Sequence, residues 1–148
     1  MESGVEISVG QEAGVRQPLV VAAAVIARNG RIMLCQRRPE AHNGLKWEFP
    51  GGKLEPGESP EAALRRELRE ELEIETDVGR VRDAVYHRYP GRDVLVLFYD
   101  CRIVRGEPRT VDCNAVAWAR PEELANYDFA GADAEFVRRS ASAPGGLK

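Results

Sequence analysis

Residues 52–74 read GKLEPGESPEAALRRELREELEI, and this stretch constrains the fold more than any other. It begins as a loop punctuated by glycine and proline and turns helical at Ser59. Ser59 is a good N-cap, Pro60 suits the first helical position, and Glu61 favours the positive helix end. The predicted helix runs to about Leu72. At 3.6 residues per turn, Leu64, Leu68 and Leu72 form one stripe. Glu67, Glu70 and Glu71 form a second stripe beside the leucines, while Arg65, Arg69 and Glu73 point more to solvent.

Like charges at i, i+4 repel, and partial burial raises carboxylate pKa values. A solvated charged face is the bland account of three such glutamates. The turn Pro50-Gly51-Gly52-Lys53 upstream favours a site instead, because a Gly-Gly turn can bring backbone groups close to a ligand. Glu58 precedes the helix N-terminus, where anions also bind well. A divalent cation would relieve the repulsion, and hard carboxylate oxygens suit Mg²⁺ or Mn²⁺.

Around this segment the pattern alternates strands and helices. Residues 19–27 form an apolar, β-rich run, and 31–36 a second one. Asn29-Gly30 between them is the strongest short hairpin signal. Residues 42–59 read as a long structured loop. Strands are expected near 81–89, 94–104 and 114–119. A short helix follows at 121–127, opened by Pro121, and a last helix at 130–141. This order gives an α+β fold with one mixed sheet and helices packed on it. One domain spans 18–141, between flexible tails at 1–17 and 142–148.

With 148 residues and a net charge of −3, the chain gives no electrostatic case for a nucleic acid polymer. A local site can still take an anionic nucleotide. No apolar run is long enough to span a membrane, and the N-terminus does not resemble a secretory signal. Cys35, Cys101 and Cys113 are scattered and odd in number, which fits reduced, buried thiols and a cytoplasmic location. His42 and His87 are far apart and read as surface or structural residues rather than ligands.

The 52–74 stretch resembles the Nudix box, G-x5-E-x7-R-E-U-x-E-E-x-G-U with U aliphatic. Gly52, Glu58, Arg66-Glu67-Leu68, Glu70-Glu71 and Ile74 occupy its positions. Glu73 stands where the pattern has glycine, at a cost of about 1 kcal/mol if that residue must be left-handed. The flanking CQRRPEAH, KWEFPGGKLEPGES, VAWARPEEL and FAGADAEFV resemble the MutT branch, the nucleoside triphosphate pyrophosphohydrolases. The resemblance implies an α/β/α sandwich with a mixed sheet. It also implies hydrolysis of nucleoside triphosphates to monophosphate and pyrophosphate with Mg²⁺, or Mn²⁺.

The same resemblance assigns roles. Glu67, Glu70, Glu71 and the Gly51 carbonyl hold metal, Glu67 also handles the water's proton, and Arg66 orients Glu67. Gly52 and Glu58 are structural, with Glu58 tying loop to helix. The extra acidic ligand that MutT-like enzymes recruit before a late strand is missing, since Ala117 stands there; Asp112 is the nearest substitute. Arg37 and Lys53 contact phosphate, Phe49 and Phe98 either stack on the base or belong to the core, and Asp133 reads the base edge. Ionised Asp133 only accepts hydrogen bonds, which suits an exocyclic amine. Trp47 and Trp118 belong to the core or the pocket wall. The general likeness favours nucleotide-pool sanitation of the 8-oxo-dGTP type, whereas Asp133 favours CTP or modified dCTP. ADP-ribose-type substrates and a catalytically inactive nucleotide-binding module are the further alternatives. The expected assembly is a monomer or homodimer.

Overall fold

The computed structural model describes residues 17–143 together with Gly146 and Leu147. Apart from its last residue, the N-terminal tail expected from the sequence lies outside the described residues. Strand β1 (Leu19–Arg28) turns at Asn29-Gly30 into β2 (Arg31–Gln36). Both turn residues have positive φ, 54° and 76°, as a two-residue type I′ hairpin requires. The 42–59 loop contains two short strands, β3 (Trp47–Glu48) and β4 (Gly51–Lys53), which its glycines and prolines conceal in sequence. Helix α1 (Pro60–Leu72) follows, then β5 (Glu75–Tyr89), β6 (Arg92–Arg105) and β7 (Ala115–Ala119). A 3-10 segment (Pro121–Asn126) replaces the expected short α-helix, and α2 (Gly131–Ser142) ends the fold.

The sheet has seven strands, with β1 central and parallel to β6. The opposite flank of β1 is shared. Its first half pairs with β4 at Val21–Ala23, and its end pairs with β2 at Ala27–Arg28. Strand β5 starts at Glu75, earlier than the expected 81. Its polar first half pairs with β6 through register shifts that a strict two-residue alternation does not anticipate.

Side-chain alternation along β1 divides the core in two. Ala22, Ala24 and Ile26 face α1, joining Leu64, Leu68 and Leu72. Ala23 and Val25 join the other cluster, which holds Ala132 and Phe136 of α2. The result is a sandwich with one helix on each face of a mixed sheet. Cys35, Cys101 and Cys113 are free and buried, as expected. Ser142 belongs to α2 and Leu147 is buried in the α2-side cluster, so the expected loose C-terminal tail is corrected at both residues. No helix among the described residues is long and apolar enough to cross a membrane.

Candidate active site

Helix α1 starts as its sequence dictates. Ser59 Oγ accepts from the Ala62 amide at 3.1 Å, and Pro60 opens the helix. Its stop is also clear. Glu73 is left-handed, with φ 58° and ψ 40°, and its amide donates to the Arg69 carbonyl. The position that favours glycine is therefore held by a glutamate under backbone strain. The Arg109 amide caps the preceding Leu72 carbonyl at 2.9 Å, tying this end to the loop before β7.

The box side chains converge on the N-terminal half of α1. The Arg66 guanidinium grips Glu58 through two hydrogen bonds, 2.6 and 3.0 Å. Its Nη1 reaches one oxygen each of Glu67 and Glu70, both at 3.3 Å, and its Nη2 donates to the Lys53 carbonyl. One cation thus joins the loop to two helical carboxylates. Its hydrogen bonds hold Glu58 below the usual carboxylate range. Glu67 packs directly over Gly52, where a Cβ would collide with its carboxylate. A Cβ on Gly51 would collide with the Ala22 carbonyl, so β4 lies against β1 only because that residue is glycine.

Glu71 is the most perturbed carboxyl of the box. Burial first, then the charges of Glu67, Glu48 and Asp112, push it up to about 9. Asp112 is exposed and lies 3.6 Å from Arg38 Nε, within electrostatic reach of Glu71 and Glu48. Among the described residues, no three histidine, cysteine, aspartate or glutamate side chains close around one point. Mg²⁺ does not require that: it takes one or two carboxylates plus waters and substrate phosphates. The donor set is all oxygen, and a carboxyl raised this far by its neighbours gains from a nearby cation. The residues fit a hard divalent ion.

A cleft of about 320 Å³ runs from this end. Gly51, Gly52, Glu71, Glu48, Tyr89 and Asp133 line it, with an apolar wall from β1 and β6. A further space of about 320 Å³ continues outward past Arg37, His42, Lys46 and Arg92. Arg37 lines both, but it is engaged: Nη1 meets Glu48 at 3.0 Å and Nε donates to the His42 carbonyl at 2.7 Å.

Several expected contacts differ. Phe98 is fully buried and stacks on Phe136 at 4.1 Å between centroids, so it supports the core and not a base. Phe49 is nearly buried too, stacked on Phe129, and meets the cleft only at its edge. Lys53 is exposed and is not among the residues lining the cleft; its carbonyl, not its ammonium, serves the site. Asp133 does line the cleft. Burial and the nearby Glu48 raise its pKa well above the usual range, against the opposing pull of the Phe49 amide and Arg37. A carboxyl shifted in this direction holds its proton more strongly than a free aspartate does; when protonated it both donates and accepts, as an amide does.

Glu48 was missed in the sequence. Burial raises its pKa, opposed by Arg37, and its charge lies within electrostatic reach of Asp133, Glu71 and Asp112. Its only signal was a charged residue between Trp47 and Phe49 in an otherwise apolar run.

The NUDIX domain model matches residues 16–140. The chain belongs to the Nudix family. This Nudix chain is 40% identical over 113 residues to the CTP pyrophosphohydrolase of Escherichia coli, covering 76% of itself and 84% of that protein. It is 41% identical over 85 residues to the 8-oxo-dGTP diphosphatase of Proteus vulgaris, covering 57% and 76%. Its fold superposes on the solution structure of the E. coli ORF135 protein with a TM-score of 0.73 and 34% identity, covering 89% of this chain and 94% of that one. A crystal structure of a MutT Nudix hydrolase from Burkholderia pseudomallei gives 0.68 and 33%, covering 74% and 88%. With every box carboxylate in place, the protein is a Nudix hydrolase of the MutT-like branch.

Proposed function

We propose that this Nudix hydrolase cleaves nucleoside triphosphates to monophosphate and pyrophosphate and clears damaged nucleotides of the 8-oxo-dGTP type. The observation that carries this reading is the polarity of the cleft. Its glycine turn and Glu71 suit metal and phosphates, and its Glu48 and Asp133 carboxyls beside an apolar wall suit a base. Glu67, Glu70, Glu71 and the Gly51 carbonyl would hold Mg²⁺ or Mn²⁺, with Asp112 as the candidate further ligand. A bound divalent ion neutralises phosphate charge and lowers the pKa of water. Phosphoryl chemistry asks the protein mainly for positioning and charge compensation. Arg66 holds Glu67 in place, and Glu67 accepts the proton of the attacking water. The water's oxygen goes to phosphorus, the bridging P–O bond breaks, and pyrophosphate leaves.

A protonated Asp133 reads a base edge that pairs one donor with one acceptor. The N7–H and O6 of 8-oxoguanine form such an edge, whereas unmodified guanine presents two acceptors there. Cytosine, with its N4 amine beside N3, presents one too. The second carboxyl, Glu48, and the likeness to a CTP pyrophosphohydrolase favour cytosine nucleotides as the second reading. Pyrophosphate release with Mg²⁺ across 8-oxo-dGTP, dGTP, CTP, dCTP, 5-methyl-dCTP, ATP and ADP-ribose tests both. Preference for 8-oxo-dGTP over dGTP supports sanitation, and preference for cytosine nucleotides supports the second reading. Nucleotide binding without hydrolysis would instead favour an inactive module.

A further inference from the structure

Helix α2 begins without a side-chain cap. Its N-cap residue is Ala130, which offers no acceptor. The missing acceptor comes from another strand: the Ala132 amide donates to Tyr89 Oη at 3.2 Å. Tyr89 is the last residue of β5, and its hydroxyl lies so close to Gly131 that a Cβ there would collide with it. Gly131 has φ +56°. The Tyr89 ring is braced from behind by His87, with centroids 4.4 Å apart. Tyr89 lines the cleft shared by Glu48 and Asp133. A phenol both accepts and donates. Accepting the Ala132 amide uses a lone pair and leaves the O–H proton. Among the described residues, none accepts that proton.

We propose that Tyr89 is a specificity-determining residue: its oxygen caps α2, and so positions Asp133, while its O–H donates to a carbonyl oxygen of the bound base. Beside carboxyls that take a base's N–H donors, this hydroxyl supplies the complementary donor for an adjacent carbonyl. O2 of a pyrimidine and O6 or O8 of an oxidised purine are the acceptors of that class. The inference rests on the reading above that places the base beside Glu48 and Asp133.

Tyr89→Phe removes the hydroxyl and keeps the ring. Cap and donor are then separated by Ala130→Ser. Ala130 has extended N-cap backbone, φ −122° and ψ 154°, so a serine there can accept the Ala132 amide in place of Tyr89. Pyrophosphate release is measured for wild type, Y89F, A130S and the double variant on CTP, 8-oxo-dGTP and ribose 5-triphosphate, a base-free probe. In Y89F, KM for the better nucleotide is expected to rise about tenfold with kcat within about twofold, and KM for ribose 5-triphosphate to stay constant. The added serine is expected to restore the lost Tm but not the KM. An equal rise on the base-free probe, or recovery of KM in the double variant relative to A130S, would reduce Tyr89 to a cap and overturn the proposal. Calorimetric titration with CMP, 8-oxo-dGMP and ribose 5-phosphate reads the same contact without turnover. A wild type inactive on both nucleotides would sink the functional reading, while these titrations would still decide Tyr89.

Discussion

Glu67 fills the space that a side chain on Gly52 would need. The first glycine of the box is thereby fixed by the carboxylate fifteen residues later, and the loop cannot move without moving the first glutamate of the helical stripe. Gly52→Ala should displace Glu67 and lower kcat by at least about 100-fold, since a 1 Å misplacement of a reacting group costs that much. Circular dichroism should show the helices intact. Activity within about twofold of wild type would mean that the Gly52–Glu67 contact does not set the geometry.

The raised pKa of Glu71 has a definite sign for stability. Between its ordinary value of 4.5 and about 9, the folded, metal-free protein keeps a proton that the unfolded chain releases. Its contribution is therefore most favourable at low pH and is lost as pH rises toward 9. In chelator, Tm should fall across this window more steeply for wild type than for Glu71→Gln. Millimolar Mg²⁺ should raise the wild-type Tm, most at the alkaline end, through preferential binding to the folded state. A Tm indifferent to Mg²⁺ at pH 8–9 would contradict a carboxylate cluster relieved by a cation.

Arg66 meets Glu58, Glu67, Glu70 and the Lys53 carbonyl at once. Lysine keeps the charge but loses the planar fork. Arg66→Lys should cost roughly 10–100-fold in activity or metal affinity, in the range for residues that orient ligands from behind. Mn²⁺ affinity, followed by the electron paramagnetic resonance of the free ion, checks the structural half of this expectation without turnover. Unchanged affinity together with unchanged kcat would show Arg66 to be an ordinary ion pair.

Glu73 occupies left-handed backbone with a Cβ. Glu73→Gly should stabilise the fold by about 1 kcal/mol, or about 2–4 °C in Tm, and leave kcat unaltered. The Arg109 ion pair lost in exchange is long, 3.6 Å, and exposed. Such a pair contributes little. A lower Tm in the glycine variant would show that the strain is compensated elsewhere.

These expectations differ in how visible they are in the sequence. Helix α1 and its box were legible because every signal is local: a cap at Ser59, a proline after it, and a leucine stripe within thirteen residues. The Asn29-Gly30 hairpin was legible for the same reason. Glu48, Tyr89 and the raised pKa of Asp133 were not. Glu48 owes its perturbation to burial and to charges on two other segments, Arg37 and Asp112. Tyr89 and Ala132 meet across 43 residues of chain. The sequence left Phe98 open between core and base for the converse reason: an aromatic on an alternating strand faces either layer, and only the packing of α2 places it against Phe136.

The two sets of cleft residues come from different parts of the molecule. Those proposed to meet metal and phosphate sit on one glycine turn and one helix, continuous in sequence. The residues proposed to meet the base come from β3, the tip of β5 and the start of α2, segments far apart in sequence that the sheet and the Tyr89–Ala132 hydrogen bond bring together. A lineage can therefore exchange these base-side residues singly while its hydrolytic apparatus is inherited unchanged. Relatives named for a pyrimidine and for an oxidised purine at nearly equal distance from one chain are what such a division of labour produces.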